Sequence, residues 1–263
     1  MSIANAWIGR ITLTAIHVFC TIMLATSTHS YASDSLVVGV NTEYKPVIFS
    51  KDGNVVGIEA DMAQQVGKIL GKKITFKSLA WEALIPSLQN KEIDVIMSGM
   101  SITPERRKLI SFTEPSLEIG QMTIIRSADI VRRSQPASLR QPGNRIGVEK
   151  GTTGEQYVRE QLPDAVVTTF TNATDGLNGL QNKTVDYFIH DAPTSWKLAQ
   201  SSQHSDLIPL YRSLTTEHLA WGVRKDDVTL LKELNQALEQ LQAHGIAGRI
   251  QDKWIPVRIE VGN

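Results

Sequence analysis

"WEALIPSLQNKEIDVIMSGMSITPERRKLISFTEP", Trp81 to Pro115, is the stretch whose reading decides the fold. "WEALIPSLQN" reads as a short helix, with Pro86 kinking or restarting it. "IDVIMSG" is an apolar run of the length and character of a buried strand. "TPERRKLI" then opens another helix, with Thr103 as its cap and Pro104 suited to its first turn. A helix, a buried strand and a helix in such close succession imply crossover connections. Those build a parallel sheet with helices on its faces.

Working outward, the same alternation recurs. Upstream, "SLVVGV" (35–40) is a buried strand and "NTEYKPVIFS" a loop broken by Pro46. The Asp-Gly of "SKDGNVVG" marks a turn or hairpin. "IEADMAQQVGKILG" places Met62, Val66, Ile69 and Leu70 at helical spacing and is closed by Gly71. "KITFKSL" alternates as a strand does. Downstream, the series restarts after a Pro/Ser/Gln/Arg-rich stretch, "VRRSQPASLRQPGN" (131–144), that shows no period of its own. "RIGVEKG", "AVVTTF", "TVDYFIHD" and "LAWGVRK" are the strands; "TTGEQYVREQL", "ATDGLNGLQN" and "APTSWKLAQ" are the helices. From Thr229 a long helix carries Leu231, Leu234, Leu238 and Leu241 on one face, a stripe too short for a zipper and suited to a core. The expected class is α/β, in two lobes.

The chain has 263 residues, with 41% hydrophobic and 21% charged, ordinary for a globular protein with a sizeable core. Lys+Arg and Asp+Glu each number 27, so no charge excess points to nucleic acid or an anionic membrane surface. Residues 1–32 differ: one charged side chain, Arg10, an apolar stretch, then small residues around Tyr31. This is the pattern of a secretory signal peptide, with cleavage expected after Ala32. The one cysteine, Cys20, falls inside it, so the mature chain is expected to have no disulfide and no cysteine metal site. Bulky residues before Cys20 argue against lipid attachment.

In open α/β sheets, ligands bind beyond the carboxyl ends of strands. Five such places stand out. Asn41 and Tyr44 follow the first strand, and Trp81 the second; both aromatics suit either ordinary packing or a ligand wall. Arg106 lies in the first turn after Thr103, where a cation opposes the helix dipole unless it reaches an anion. It is either a bidentate carboxylate clamp or a solvated or salt-bridged arginine. Thr152 and Glu155 have capping-box spacing, which fixes a helix N-terminus that is either simply capped or offered to an anion. Asp191 follows "YFIH", either to accept an ammonium or to cap the next helix. An arginine and a helix N-terminus for a carboxylate, an aspartate for an ammonium and two aromatics for a side chain together suit an α-amino acid.

At this point the chain resembles a known family. "GIEADMAQQVGKILG", the stretch from Trp81 to Pro115, "GVEKGTTGEQYV" and "DYFIHDAP" together resemble the periplasmic polar amino-acid-binding proteins, family 3 of the bacterial extracellular solute-binding proteins. The resemblance runs from about Leu36 to Trp254. It implies the type II periplasmic-binding-protein fold, with two α/β lobes joined by two hinge strands near Gln121–Ile125 and Glu217–Trp221. Lobe one would comprise 33–125 plus 217–263, and lobe two 126–216. It implies that Arg106 clamps the ligand carboxylate with the N–H groups of Ser101 and Thr153. Asp191 would take the ammonium, aided by the Gly99 carbonyl and the Ser101 hydroxyl. Tyr44 and Trp81 would wall the side-chain pocket, with Asn41 and Ser98 tuning it and Arg107 left in solvent. Relatives that take cationic amino acids often have aspartate where this chain has Asn41, which favours a neutral polar ligand such as glutamine, unless Glu43 or Glu149 points inward.

The resemblance further implies a periplasmic, monomeric binding protein that delivers an amino acid to a membrane ABC permease. No catalytic residues, no cofactor and no metal are expected; His190, His204, His218 and His244 lack ligand spacing and read as ordinary surface or core histidines. The alternative is an exported cyclohexadienyl/arogenate dehydratase-like enzyme on the same fold, which would need a cleft carboxyl group as general acid.

Overall fold

The structure, a computed structural model, describes residues 35–199 and 202–255. The expected signal peptide, residues 1–32 with Cys20, lies outside the described residues.

β1 (Ser35–Val40) is followed by β2 (Glu43–Tyr44), β3 (Ile48–Lys51) and β4 (Asn54–Val56). Then α1 (Ile58–Leu70), β5 (Lys73–Ser78), α2 (Leu84–Gln89), β6 (Val95–Ser101) and α3 (Pro104–Leu109) alternate. β7 (Ser111–Phe112), β8 (Leu117–Ile119), β9 (Gln121–Arg126), α4 (Ile130–Arg133) and α5 (Pro136–Leu139) lead into a second alternation. That series is β10 (Arg145–Glu149), α6 (Thr153–Gln161), β11 (Val166–Phe170), α7 (Ala173–Gln181), β12 (Tyr187–Asp191) and α8 (Ala192–Ala199). β13 (Leu207–Leu210), β14 (Glu217–Val223), α9 (Val228–Ala243) and α10 (Ile246–Trp254) complete the described chain.

Two main sheets result. The first has the order β5-β1-β6-β14-β7, with β8 also paired to β14; the second is β11-β10-β12-β9-β13. Each keeps three parallel strands, as crossovers through helices require. Neither is wholly parallel as the sequence predicts. β14 runs antiparallel to β6, and β9 antiparallel to β12, because each is a strand that has crossed from the other lobe. β9 hydrogen-bonds along its length in the second sheet, so the first passage between sheets falls at Gly120. The second falls between β13 and β14. At Gly120 an added Cβ would lie 2.0 Å from both Ser213 Oγ and the Thr215 carbonyl, so the two passages can touch only where no side chain stands.

Two segments read as irregular are ordered. The predicted loop "NTEYKPVIFS" contributes β2 and β3 to a small antiparallel sheet with β4. The Pro/Ser/Gln/Arg-rich stretch 131–144 holds all of α5 and all of α4 but its first residue. Asp129 binds Arg126 and Arg132, Asn144 Nδ2 donates to the Ser138 and Leu139 carbonyls, and Leu139 is buried with Ile146 and Val148, so polar anchors and a single apolar one fold it. The leucine stripe of α9 does enter the core: Leu234, Leu238 and Leu241 are buried with Met62 and Val66 of α1.

Beneath the first sheet's carboxyl edge lies a buried acid, Glu59 of α1. Its Oε2 accepts the Trp221 indole N–H at 2.8 Å, and its carboxyl also accepts the Gly99 amide. Burial outweighs these two bonds and raises its pKa to about 7. The folded protein therefore keeps this proton to higher pH than the unfolded chain does. The sign follows: stability falls as pH rises from about 4.5 to about 7 and is level above, a loss on the order of 3 kcal/mol from this one group. Urea unfolding across that range should show the slope in the wild type and its absence in Glu59→Gln. Parallel slopes would assign it to another group.

Candidate functional site

The carboxyl ends of β1, β6, β10 and β12 converge on one cleft. Gly99 and Ser101 close β6, Glu149 closes β10 and Asp191 closes β12. Asn41, Tyr44, Trp81, Arg106 and Thr153 complete the wall with them. Every predicted site residue therefore lines the cleft except Ser98. Ser98 is wholly buried, and its Oγ accepts the Asn41 amide at 2.8 Å, so it supports the wall from behind.

Arg106 is placed as its helix start requires. Thr103 Oγ1 accepts the Arg106 amide at 3.2 Å, which caps α3. The guanidinium turns back, giving Nη1–H to the Ser101 carbonyl (2.8 Å) and Nη2–H to the Gly151 carbonyl (3.2 Å). It lies over the Trp81 ring, 5.2 Å from its centroid. Desolvation lowers its pKa to about 10 while Glu217 and Glu105 oppose that, so it remains a cation at neutral pH. Arg107 is the exposed member of the pair, over the Phe112 ring.

The cleft is closed. Trp81 Nε1 donates to the same Gly151 carbonyl that Arg106 uses (3.2 Å), Lys150 meets Glu82 at 3.3 Å, and the Tyr44 hydroxyl donates to Asp191 Oδ2. Gly151 precedes α6, whose start is half of the expected capping box: Thr152 Oγ1 accepts the Glu155 amide at 3.3 Å. The Glu155 carboxylate reaches one residue further back than the pattern predicts, to the Gly151 amide at 2.8 Å.

Asp191 faces Gln121 across the β9–β12 pairing and accepts its amide N–H. Burial, with a contribution from Glu217, holds the Asp191 carboxyl well above the usual carboxylate range. Tyr44 therefore serves the acidic end of the cleft as well as its wall. Gly99 has φ +64°, and a Cβ there would meet the Tyr44 ring at 2.4 Å, so glycine is what lets the tyrosine lie over the strand end.

Sequence reasoning missed three contributors and left two more undecided. His190 is buried against Phe188 and Tyr44, and its Nε2 lies 3.0 Å from Glu149 Oε2. Successive strand residues alternate faces, so turning Asp191 inward turns His190 away on paper; at the strand's last residue both reach the cleft. Glu149 and Glu43, which the sequence left facing either way, both line it. Gln121 and Glu217 lay in segments read only as hinges.

A family model for bacterial extracellular solute-binding proteins, family 3, matches residues 36–257. The chain is 30% identical over 230 residues to ABC transporter arginine-binding protein 1 of Escherichia coli strain K12, covering 86% of this chain and 92% of that protein. It is 30% identical over 230 residues to the ABC transporter glutamine-binding protein GlnH of Bacillus subtilis strain 168, covering 85% and 82%. Among solved structures it resembles an ancestral amino acid-binding protein, AncCDT-1, described as a precursor of cyclohexadienyl dehydratase. That likeness has a TM-score of 0.77 and 32% identity over 84% of this chain and 95% of the other. The chain belongs to the bacterial extracellular solute-binding proteins of family 3.

Proposed function

We propose that this protein is the periplasmic substrate-binding component of an amino-acid ABC importer, closing on an L-amino acid and passing it to a membrane permease. The observation that carries the reading is the convergence of the Arg106 guanidinium and the Asp191 carboxyl on one buried cleft. In this reading Arg106 clamps the α-carboxylate with the Ser101 and Thr153 amides. Asp191 takes the α-ammonium with the Gly99 carbonyl and the Ser101 hydroxyl. The lobes move about the two passages, with 33–125 plus 217–263 on one side and 126–216 on the other. Membership of the family and the arginine- and glutamine-binding relatives support it.

The side-chain end is rich in acceptors. A zwitterion occupies Arg106 and Asp191, Lys150 is paired to Glu82, and Glu149 and Glu43 still border the cleft. That balance favours a side chain bearing N–H donors, an amide or a cation, over an acidic or apolar one. Among the described residues no group of acidic, histidine or cysteine side chains could hold a metal ion, and no helix is long and apolar enough to cross a membrane.

A dehydratase reading draws on one feature of the cleft, the buried Asp191 carboxyl with its raised pKa. Incubation with prephenate and with arogenate should give no turnover; product formation would reverse the assignment.

Three further outcomes are expected. A thermal-shift screen of the standard amino acids with ornithine and citrulline should raise the melting temperature with donor-bearing side chains above all. Arg106→Ala should weaken binding by roughly 2–5 kcal/mol, since a buried carboxylate would lose its charged partner; near-wild-type affinity in calorimetry would contradict the clamp. Burial raises the Asp191 pKa, so where the carboxyl carries a proton an ammonium must displace it, and binding should tighten as pH rises. Titrations in buffers of different ionisation enthalpy would read that proton. Asp191→Asn should abolish its release without loss of thermal stability.

A further inference from the structure

Glu217 opens β14 at one passage between the sheets, and Gln121 opens β9 at the other. Glu217 Oε2 accepts the Ser101 hydroxyl at 2.7 Å. Its Oε1 accepts the Thr215 hydroxyl at 2.8 Å and Gln121 Nε2–H at 3.0 Å. Gln121 Nε2 also lies 3.1 Å from Thr153 Oγ1 and against Asp191 Oδ1, and its backbone amide donates to Thr215 Oγ1 at 2.9 Å. One carboxyl group thus ties the end of β6 to both passages.

The chemistry of Ser101 gives this a consequence. A hydroxyl has one proton and two lone pairs. Ser101 gives its proton to Glu217, so its oxygen can only accept from whatever fills the cleft it lines. An α-ammonium has three protons and nothing to accept with. We propose that Glu217 is a positioning residue that fixes the Ser101 hydroxyl as an acceptor, and thereby selects ligands carrying a protonated α-amine over analogues lacking it. The inference rests on the amino-acid reading and names how the site discriminates.

Glu217→Gln is the informative change. The Oε1 position already receives two donors, so the amide oxygen takes that place and the new NH2 faces Ser101. The Ser101 hydroxyl then accepts from that NH2 and turns its own proton into the cleft, against the ammonium. Calorimetric titration would use L-arginine and L-glutamine beside their amine-free counterparts, 5-guanidinopentanoate and glutaramate. The wild type should prefer the amino acids, and the variant should lose that preference by about tenfold or more, the worth of one charge-assisted hydrogen bond. Affinity for the amine-free compounds should fall far less than that for the amino acids. Ser101→Ala should lose the same preference, and combining it with Glu217→Gln should add little. If both ligand types weaken equally in Glu217→Gln, or neither does, Glu217 is merely structural and the proposal fails. Should that variant not fold, full preference retained in Ser101→Ala overturns the proposal by itself. A wild-type protein that binds neither amino acid, or favours the amine-free compounds, overturns the amino-acid reading and this inference with it.

Discussion

A carboxyl group taken out of water must keep its proton or face a cation, and the Asp191 side of this protein is built around that constraint. Tyr44 and Gln121 both donate to it, while burial holds its pKa well above the usual carboxylate range. Those two donors come from different sheets, so the acid also joins the two halves of the cleft. Arg106 at the other end is desolvated but stays charged, because a guanidinium yields its proton far less readily and two carbonyls fix its plane. The closed cleft is thus polarised before any ligand is considered: a permanent cation at one end and a reluctant acid at the other.

The fold supplies this polarity through strand ends. Three parallel strands in each sheet point their carboxyl termini at the cleft, and the antiparallel strands β9 and β14 return the chain through it. The returning strands are more than connectors. Gln121 and Glu217 stand at their first residues, where each leaves one lobe for the other. Small residues make the approaches possible, Gly120 where the two passages touch and Gly99 where Tyr44 covers the strand end.

Much of this was legible in the sequence. Regular apolar runs separated by helical periods identify α1, β5, β6, α6, β12 and α9, since each buries one face and must repeat accordingly. Arg106 and Asp191 were legible because both follow buried strands, where a charge has little reason to stand without a partner. Short strands were not. β2 and β3 are two and four residues long, β7 two, and none offers a period to read. α4 and α5 offer no period because each is four residues long, held by Asp129 ion pairs, Asn144 and the one buried apolar residue Leu139. Glu217 and Gln121 were invisible as a pair, being 96 residues apart and joined only by the crossing of two strands. Ser98 stands behind the wall rather than in it, because proximity in sequence to the strand end does not tell which face a side chain takes.

The Gly151 carbonyl accepts both Trp81 and Arg106 from the facing lobe. The acceptor of this latch is a peptide oxygen, which every residue carries, so on that side only the left-handed turn that aims it, φ +74° at this glycine, is exposed to substitution. Its donors are two side chains that also border the cargo. An exchange of Trp81 or Arg106 to suit a different cargo would therefore loosen the catch at the same stroke.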